Sequence, residues 1–468
     1  MASNINIFRT KSIEELIAGT HQGNELKKVL GAFELTMLGI GAIIGTGIFV
    51  LTGIAAANYS GPALVISFII SGLACTFAGL AYAELAAMVP VAGSAYTYGY
   101  AALGEVWAWI IGWDLILEYT VAVSAVAVGW SGYMVSLLAG AGINIPAALI
   151  NPPGTLGGVI NLPAILILAA ITFLLVIGVK ESARFNNVIV IIKLAVVLLF
   201  IFIGVFHINP ANWTPFMPYG WSGVFKGAAI VIFAYLGFDA VSTAAEEVKN
   251  PQRDLPIGIL ASLGICTFLY IVVSAILTGM VPYLAFKETA APVAFALQQV
   301  GVNWGSALVS VGAISGITSV LLVMTFGQTR IFFAMSRDGL LPKVFGEVHP
   351  KFGTPVKSTL LVGITCATLA GFTPIGILAE LCNIGTLAAF VIVAAAVMYL
   401  RKSNPDQPRS FRCPWVPVIP LLAIAFNLYL MWVLPAVTQY RFGIWLLLGM
   451  VIYFVYGRKH STMNDKAA

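Results

Sequence analysis

Charged side chains inside long apolar runs carry the first chemical signal in this sequence. Each costs on the order of 3 kcal/mol or more near the middle of a bilayer, so each needs a reason. Lys193 stands in the run 187–200, roughly 10 Å past its start at 1.5 Å per residue. Burial disfavours the charged form of a lysine, so a lysine at this depth can take up and release a proton. Its four-carbon stem can also let the ammonium snorkel back to the interface. Asp114 and Glu118 are four apart and share a helix face, with Glu118 the deeper. Either can neutralise a cation, titrate, or simply accept a hydrogen bond from a neighbouring hydroxyl. Asp239 follows Gly237 and Phe238 in another apolar run. Glu84 and Glu380 read as helix-to-helix ties or interface residues. Glu246, Glu247, Lys249 and Arg253, and Arg337 with Asp338, read as solvated loop charges or ion pairs of a gate.

Glycine supplies the second signal. Residues 39–49 hold Gly39, Gly41, Gly45 and Gly47, each weakening a helix by roughly 1 kcal/mol relative to alanine. In lipid the freed backbone groups need partners. An unwound segment presents carbonyls from one half-helix and N–H groups from the next. The N–H end suits a carboxylate and the carbonyl end an ammonium. Together they match the zwitterion of an α-amino acid. Close helix packing through Gly41-x-x-x-Gly45 is the competing explanation. A second glycine break, Phe233-Ala234-Tyr235-Leu236-Gly237-Phe238-Asp239, sits mid-run elsewhere and shifts the balance toward a binding site.

These features need membrane helices to position them. The chain has 468 residues, 60% hydrophobic and 9% charged. That excludes a soluble globular protein, which carries about 25% charge. Apolar runs of about 20 residues favour helices over an outer-membrane barrel. Twelve spans are expected, near 33–57, 62–86, 95–136, 161–180, 187–208, 225–247, 257–281, 304–334, 357–372, 376–400, 415–436 and 441–457. With the N-terminus inside, about 20 of the 24 lysines and arginines fall on the cytoplasmic side, so both termini are expected there. The net charge of +5 records that sidedness and is no nucleic-acid footprint. Ser12 and Glu15 form a candidate capping box ahead of the first span. The sequence divides into an N-terminal segment 1–30, five spans in 31–208, five in 223–400, two more in 401–458, and a tail 459–468. An odd number of spans per block makes the second block inverted, a transporter arrangement.

The stretches Gly39–Phe49 ("GIGAIIGTGIF"), 233–259 ("FAYLGFDAVSTAAEEVKNPQRDLPIGI"), Gly112–Tyr119 ("GWDLILEY") and Gly327–Pro342 ("GQTRIFFAMSRDGLLP") carry a family resemblance. They resemble the amino acid–polyamine–organocation transporters, and within them the cationic amino acid transporter branch. The resemblance spans the first ten helices. It implies a LeuT-type fold of two inverted five-helix repeats with spans one and six discontinuous. It implies that Gly45, Thr46 and Gly47 bind a substrate carboxylate. Ile43, Phe233 and Leu236, with Ala234 beside them, would offer carbonyls to its ammonium, and the Phe233 ring would cover it. Glu118 would face a cationic substrate side chain. Lys193 stands where sodium-driven relatives hold their ion, within reach of carbonyls near Gly41 and of Ser315 or Ser319. It would couple transport to protons, with Asp239, at a position that is acidic in several relatives, a second candidate.

The expected activity is therefore import of cationic or small neutral amino acids across the cell membrane by alternating access, with protons as symported ion. An exchanger needing no ion is the alternative. No nucleophile–base constellation is visible, so an enzyme is not expected. The five cysteines and four histidines form no metal or disulfide pattern, and no cofactor is expected. Trp107, Trp109, Trp213 and Trp221 read as interfacial anchors. Expected partners are the substrate, the proton and membrane lipid. The sequence does not specify an accessory subunit.

Overall fold

The computed structural model describes residues 7–13, 16, 28–91, 94–155, 157–178 and 183–464. Glu15 of the expected capping box lies outside them. Described segments are helical or irregular, and the only pairings of strand type among them are isolated bridges of Leu30 with Val248 and Ile150 with Asn161. Helices of eight or more residues are α1 (Ala32–Ile43), α2 (Leu64–Met88), α3 (Ser94–Ala102), α4 (Glu105–Gly140), α5 (Leu162–Val176), α6 (Ala183–Val205) and α7 (Gly220–Val231). They continue as α8 (Pro251–Met280), α9 (Pro292–Gln299), α10 (Asn303–Arg337), α11 (Val356–Phe372), α12 (Ile375–Ser403), α13 (Val418–Val433) and α14 (Ala436–Ile452). Among the described residues eight helical stretches are long and apolar enough to cross a membrane, and α1, α5, α11 and α13 are shorter apolar helices. This is a polytopic, all-helical membrane protein.

Turn chemistry sets the helix boundaries. The 42-residue stretch Gly47–Met88 turns at Gly61, whose φ of +59° suits glycine, and Pro62 then opens the next segment. Asn161 caps α5 by accepting from the Ala164 N–H, and the same oxygen accepts from Ser131 of α4. The long third span expected over 95–136 is in fact two helices. Gly104, with φ +95°, ends the approach of α3 and lets α4 begin. A Cβ on Gly104 would lie 2.5 Å from the Phe8 carbonyl oxygen, so the N-terminal segment packs directly on this turn.

Two buried carboxylates fasten the periphery. Glu84 of α2 receives Arg401 in a two-pronged contact at 2.9 and 2.7 Å, Arg409 at 3.3 Å, and the Cys413 N–H at 2.7 Å. Glu105, at the start of α4, accepts from Arg9, Tyr100, Tyr453 and Ser461. Lys11 pairs with Asp338 at 2.9 Å, and Tyr96 donates to the same carboxylate. Arg–carboxylate forks of this kind are among the stronger hydrogen bonds proteins make. Glu380 accepts from Thr438, tying α12 to α14. Trp109 corrects the expectation of an interfacial anchor. It is fully buried, stacked on Trp113, and donates to the Gly449 carbonyl. Its helix face, rather than its nearness to a span end, decides its place.

Candidate functional site

Both glycine-rich segments are broken helices. α1 stops at Ile43, Ile44 turns extended (φ −74°, ψ 99°), and helix resumes at Thr46. The second half runs from Gly47 as a π-helical turn, Gly47–Leu51. In the other segment α7 tightens into a 3₁₀ turn, Ile232–Tyr235. Leu236 is then extended (φ −56°, ψ 140°), and Gly237 takes a φ of +104° before a short helix at Ala240–Thr243. The first N–H groups of each resumed helix have no partner within the helix, and the last carbonyls of each stopped helix have none either.

Steric neighbours separate the glycines by task. A Cβ on Gly39 would meet Ser262 at 2.5 Å, one on Gly41 would meet Val190 at 2.7 Å, and one on Gly47 would overlap the Ala234 Cα. Those three allow close helix approach, as the packing explanation holds. Gly47 in addition brings the two broken helices backbone to backbone. Gly45 differs. A Cβ there would meet Val320 at 3.4 Å, an ordinary contact, so packing does not demand glycine. Gly45 keeps its backbone open toward the space between the breaks. That space is a small cavity of about 10 Å³, bounded by Ala42, Ile43, Gly45, Thr46 and Gly47 on one side. Phe233 and Leu236 bound it on the other, and Val126, Val320 and Met324 complete the wall. So small a volume holds about one water, and a larger guest requires the walls to part. The wall has no charged side chain. Glu118 is not part of it: it lies eight residues before Val126 on α4, about 12 Å along the helix. Ala234 is buried behind the wall against Gly47.

Lys193 is fully buried, and its ammonium donates to the Gly41 carbonyl at 2.6 Å, in the last turn of α1 before the break. Gly316 of α10 makes room for its stem, since a Cβ there would lie 2.6 Å from the lysine Cε. Ser319 is buried on α10, whereas the Ser315 hydroxyl donates to the Val311 carbonyl of its own helix. Asp114, Glu118 and Asp239 are all buried, and Asp114 and Asp239 lie close enough to Glu118 to act on it electrostatically. Neither Asp114 oxygen has a hydrogen-bond partner among the described residues. The backbone of Gly385 leaves the space they occupy, where a Cβ would lie 2.6 Å from Oδ1.

The family model described as "Amino acid permease" matches residues 30–456, nearly the whole chain. The chain belongs to the amino acid permease family. It falls within the amino acid–polyamine–organocation superfamily, and it is a membrane transporter rather than an enzyme. A branched-chain amino acid permease of Bacillus subtilis (strain 168) is 56% identical, over 98% of this chain and 99% of its own. A methylthioribose transporter of the same organism is 54% identical, over 98% and 99%. Cationic amino acid transporter 4, vacuolar, of Arabidopsis thaliana is 32% identical, over 98% and 97%.

The permease also places at the breaks two residues that sequence reasoning passed over. The Tyr270 hydroxyl of α8 lies 2.9 Å from both the Ile43 and the Ala234 carbonyl, so one donor bridges the two stopped helices. Asn383 of α12 donates to the Ala229 and Ile230 carbonyls at the end of α7. An asparagine inside an apolar run was a signal available in the sequence. A tyrosine there was not, because aromatics are common throughout the chain.

Proposed function

We propose that this permease carries amino acids with aliphatic side chains into the cell, in symport with protons, by alternating access around the cavity between the two breaks. The observation that carries the reading is the character of that cavity. It is lined by Ile43, Gly45, Thr46, Gly47, Phe233 and Leu236, whose backbone groups and Thr46 hydroxyl suit a zwitterion. Its remaining wall, Val126, Val320 and Met324, is apolar and uncharged. A guanidinium or ammonium side chain would lie against that wall without a partner, at a high cost in desolvation. The 56% identical relative, named for branched-chain substrates, supports the same choice. Glu118 then serves the transport cycle rather than the substrate side chain.

The architecture we propose is twelve spans, ten of them in two inverted repeats, with both termini cytoplasmic in the cell membrane. Helices at equivalent places in the two blocks pack on each other: α2 on α8, α4 on α10 and α5 on α11. A two-fold axis in the membrane plane would produce such pairs. Lys193 couples the proton. Uncharged, it releases the Gly41 carbonyl and with it the end of α1. Charged, it pins that end to α6. Phe233 closes over the substrate.

The test is uptake of labelled leucine into proteoliposomes, challenged with each of the twenty amino acids and with methylthioribose. Isoleucine and valine should compete best, and a proton ionophore should abolish accumulation. Competition by arginine alone would overturn the specificity. Competition by methylthioribose alone would favour the second reading, which the 54% identical relative supports. Exchange without net uptake, indifferent to ionophore, would replace symport with antiport.

A further inference from the structure

A groove of about 610 Å³ lies outside the cavity just described. Its floor is one face of α8: Gln252 and Arg253, then Pro256 and Ile257 one turn on, then Leu260 and Ala261. Pairs at four-residue spacing stack along one side of a helix. Ser410 and Phe411, from the segment after α12, form its rim. Polarity along it is graded. The end near the start of α8 is cationic and hydrogen-bonding, and everything further along is apolar. From Arg253 to Ala261 the grade covers about 12 Å of helix. Pro256 sharpens the polar end, because it has no N–H to offer the Gln252 carbonyl one turn back. The rim belongs to a basic segment carrying Arg401, Lys402, Arg409 and Arg412 against a single acid, Asp406. Arg401 and Arg409 are engaged with Glu84. Arg253 is exposed and makes no ion pair among the described residues, and Arg412 is exposed as well. Trp415, 79% exposed, stands four residues beyond Phe411, where an interfacial aromatic is expected.

We infer that this groove is a binding site for one anionic phospholipid of the cytoplasmic leaflet. Arg253 and Gln252, with Ser410, hold the phosphate headgroup, and Ile257, Leu260 and Ala261 line the path of an acyl chain. The leaflet rests on the orientation proposed above. Charge complementarity selects the occupant, since inner-leaflet anionic lipids gather at clusters of this kind. A zwitterionic lipid fits the apolar path equally but leaves Arg253 without net attraction. The groove joins α8, packed on α1 and α2, to the segment after α12. The lipid therefore bridges a helix packed on α1 and a segment fastened by Glu84.

Native mass spectrometry of the purified full chain, titrated with phosphatidylglycerol or phosphatidylcholine, tests the site. The expected result is one retained phosphatidylglycerol at fivefold or greater preference. Arg253→Gln should reduce the preference to parity, Arg253→Lys should keep most of it, and Leu260→Trp should block both lipids by filling the apolar path. Equal retention by the unaltered protein, or an unchanged preference in both Arg253→Gln and Leu260→Trp, would overturn the inference. So would full competition by inorganic phosphate, which would make the site one for a free anion. Size-exclusion profiles and melting temperatures separate misfolding from loss of the site. The described cysteines are all buried, so Ser410→Cys reports sidedness by labelling with an impermeant maleimide. Labelling of intact cells would overturn the orientation and the leaflet, while the lipid titration in detergent judges the site independently.

Discussion

Two classes of buried charge divide this molecule. Glu84 and Glu105 lie at the edges and are saturated with donors, three groups reaching the first and four side chains the second. Lys193 and Asp114 lie deep in the bundle. The ammonium of Lys193 rests on a backbone carbonyl, and neither oxygen of Asp114 is hydrogen-bonded among the described residues. A saturated ion is costly to uncharge and so fastens. A carboxyl such as Asp114 changes protonation without breaking a hydrogen bond among the described residues.

The strongest way to break this contrast is at Glu84. Glu84→Gln should leave Arg401 and Arg409 without a counter-charge and lower unfolding stability by about 3 kcal/mol, the lower end for a broken buried pair, because Arg401 is partly exposed. Denaturation of the detergent-solubilised protein measures it, and a loss below about 1 kcal/mol would erase the distinction. Next, Lys193→Ala should cut proton-driven uptake at least tenfold, about 1.4 kcal/mol in the barrier, while substrate counterflow persists. Equal loss of both would make the lysine a fastener. Smaller again, Tyr270→Phe removes one hydroxyl between the Ile43 and Ala234 carbonyls and should cost about 1 kcal/mol. Tighter leucine binding in that variant would show substrate and hydroxyl competing for the carbonyls. The smallest stability change belongs to Asp114→Asn, because the side chain keeps its size and no hydrogen bond in the described structure is lost. A slope change in the pH profile of uptake, with stability unaltered, would sharpen the contrast. A large destabilisation would end it.

The helical breaks were legible because glycine speaks about backbone directly. Four glycines in one apolar run have few uses in lipid, and both segments do unwind. The approach of Lys193 to Gly41 came from the family resemblance, and the structure has that contact. What stayed hidden depended on partners from distant segments. Nothing local marks Tyr270 as a bridge, and nothing local shows that Gly47 touches Ala234 while Gly45 stands free. The Trp109 misreading has the same origin, because depth along a span does not tell which face a ring occupies. The break at Gly104 was signalled by Gly104 beside Glu105, but continuous hydrophobicity on either side concealed it.

Glu105 has a consequence for how the chain is made. Ser461, one of its donors, is 356 residues further along. At the usual 5–20 residues per second, about 20–70 s of synthesis separate the two. Until Tyr453 is made the carboxylate has, of these four side chains, Arg9 and Tyr100. The clasp therefore closes last, and only on a chain completed past residue 461. A product cut short before Tyr453 leaves the buried carboxylate with two of its four side-chain donors.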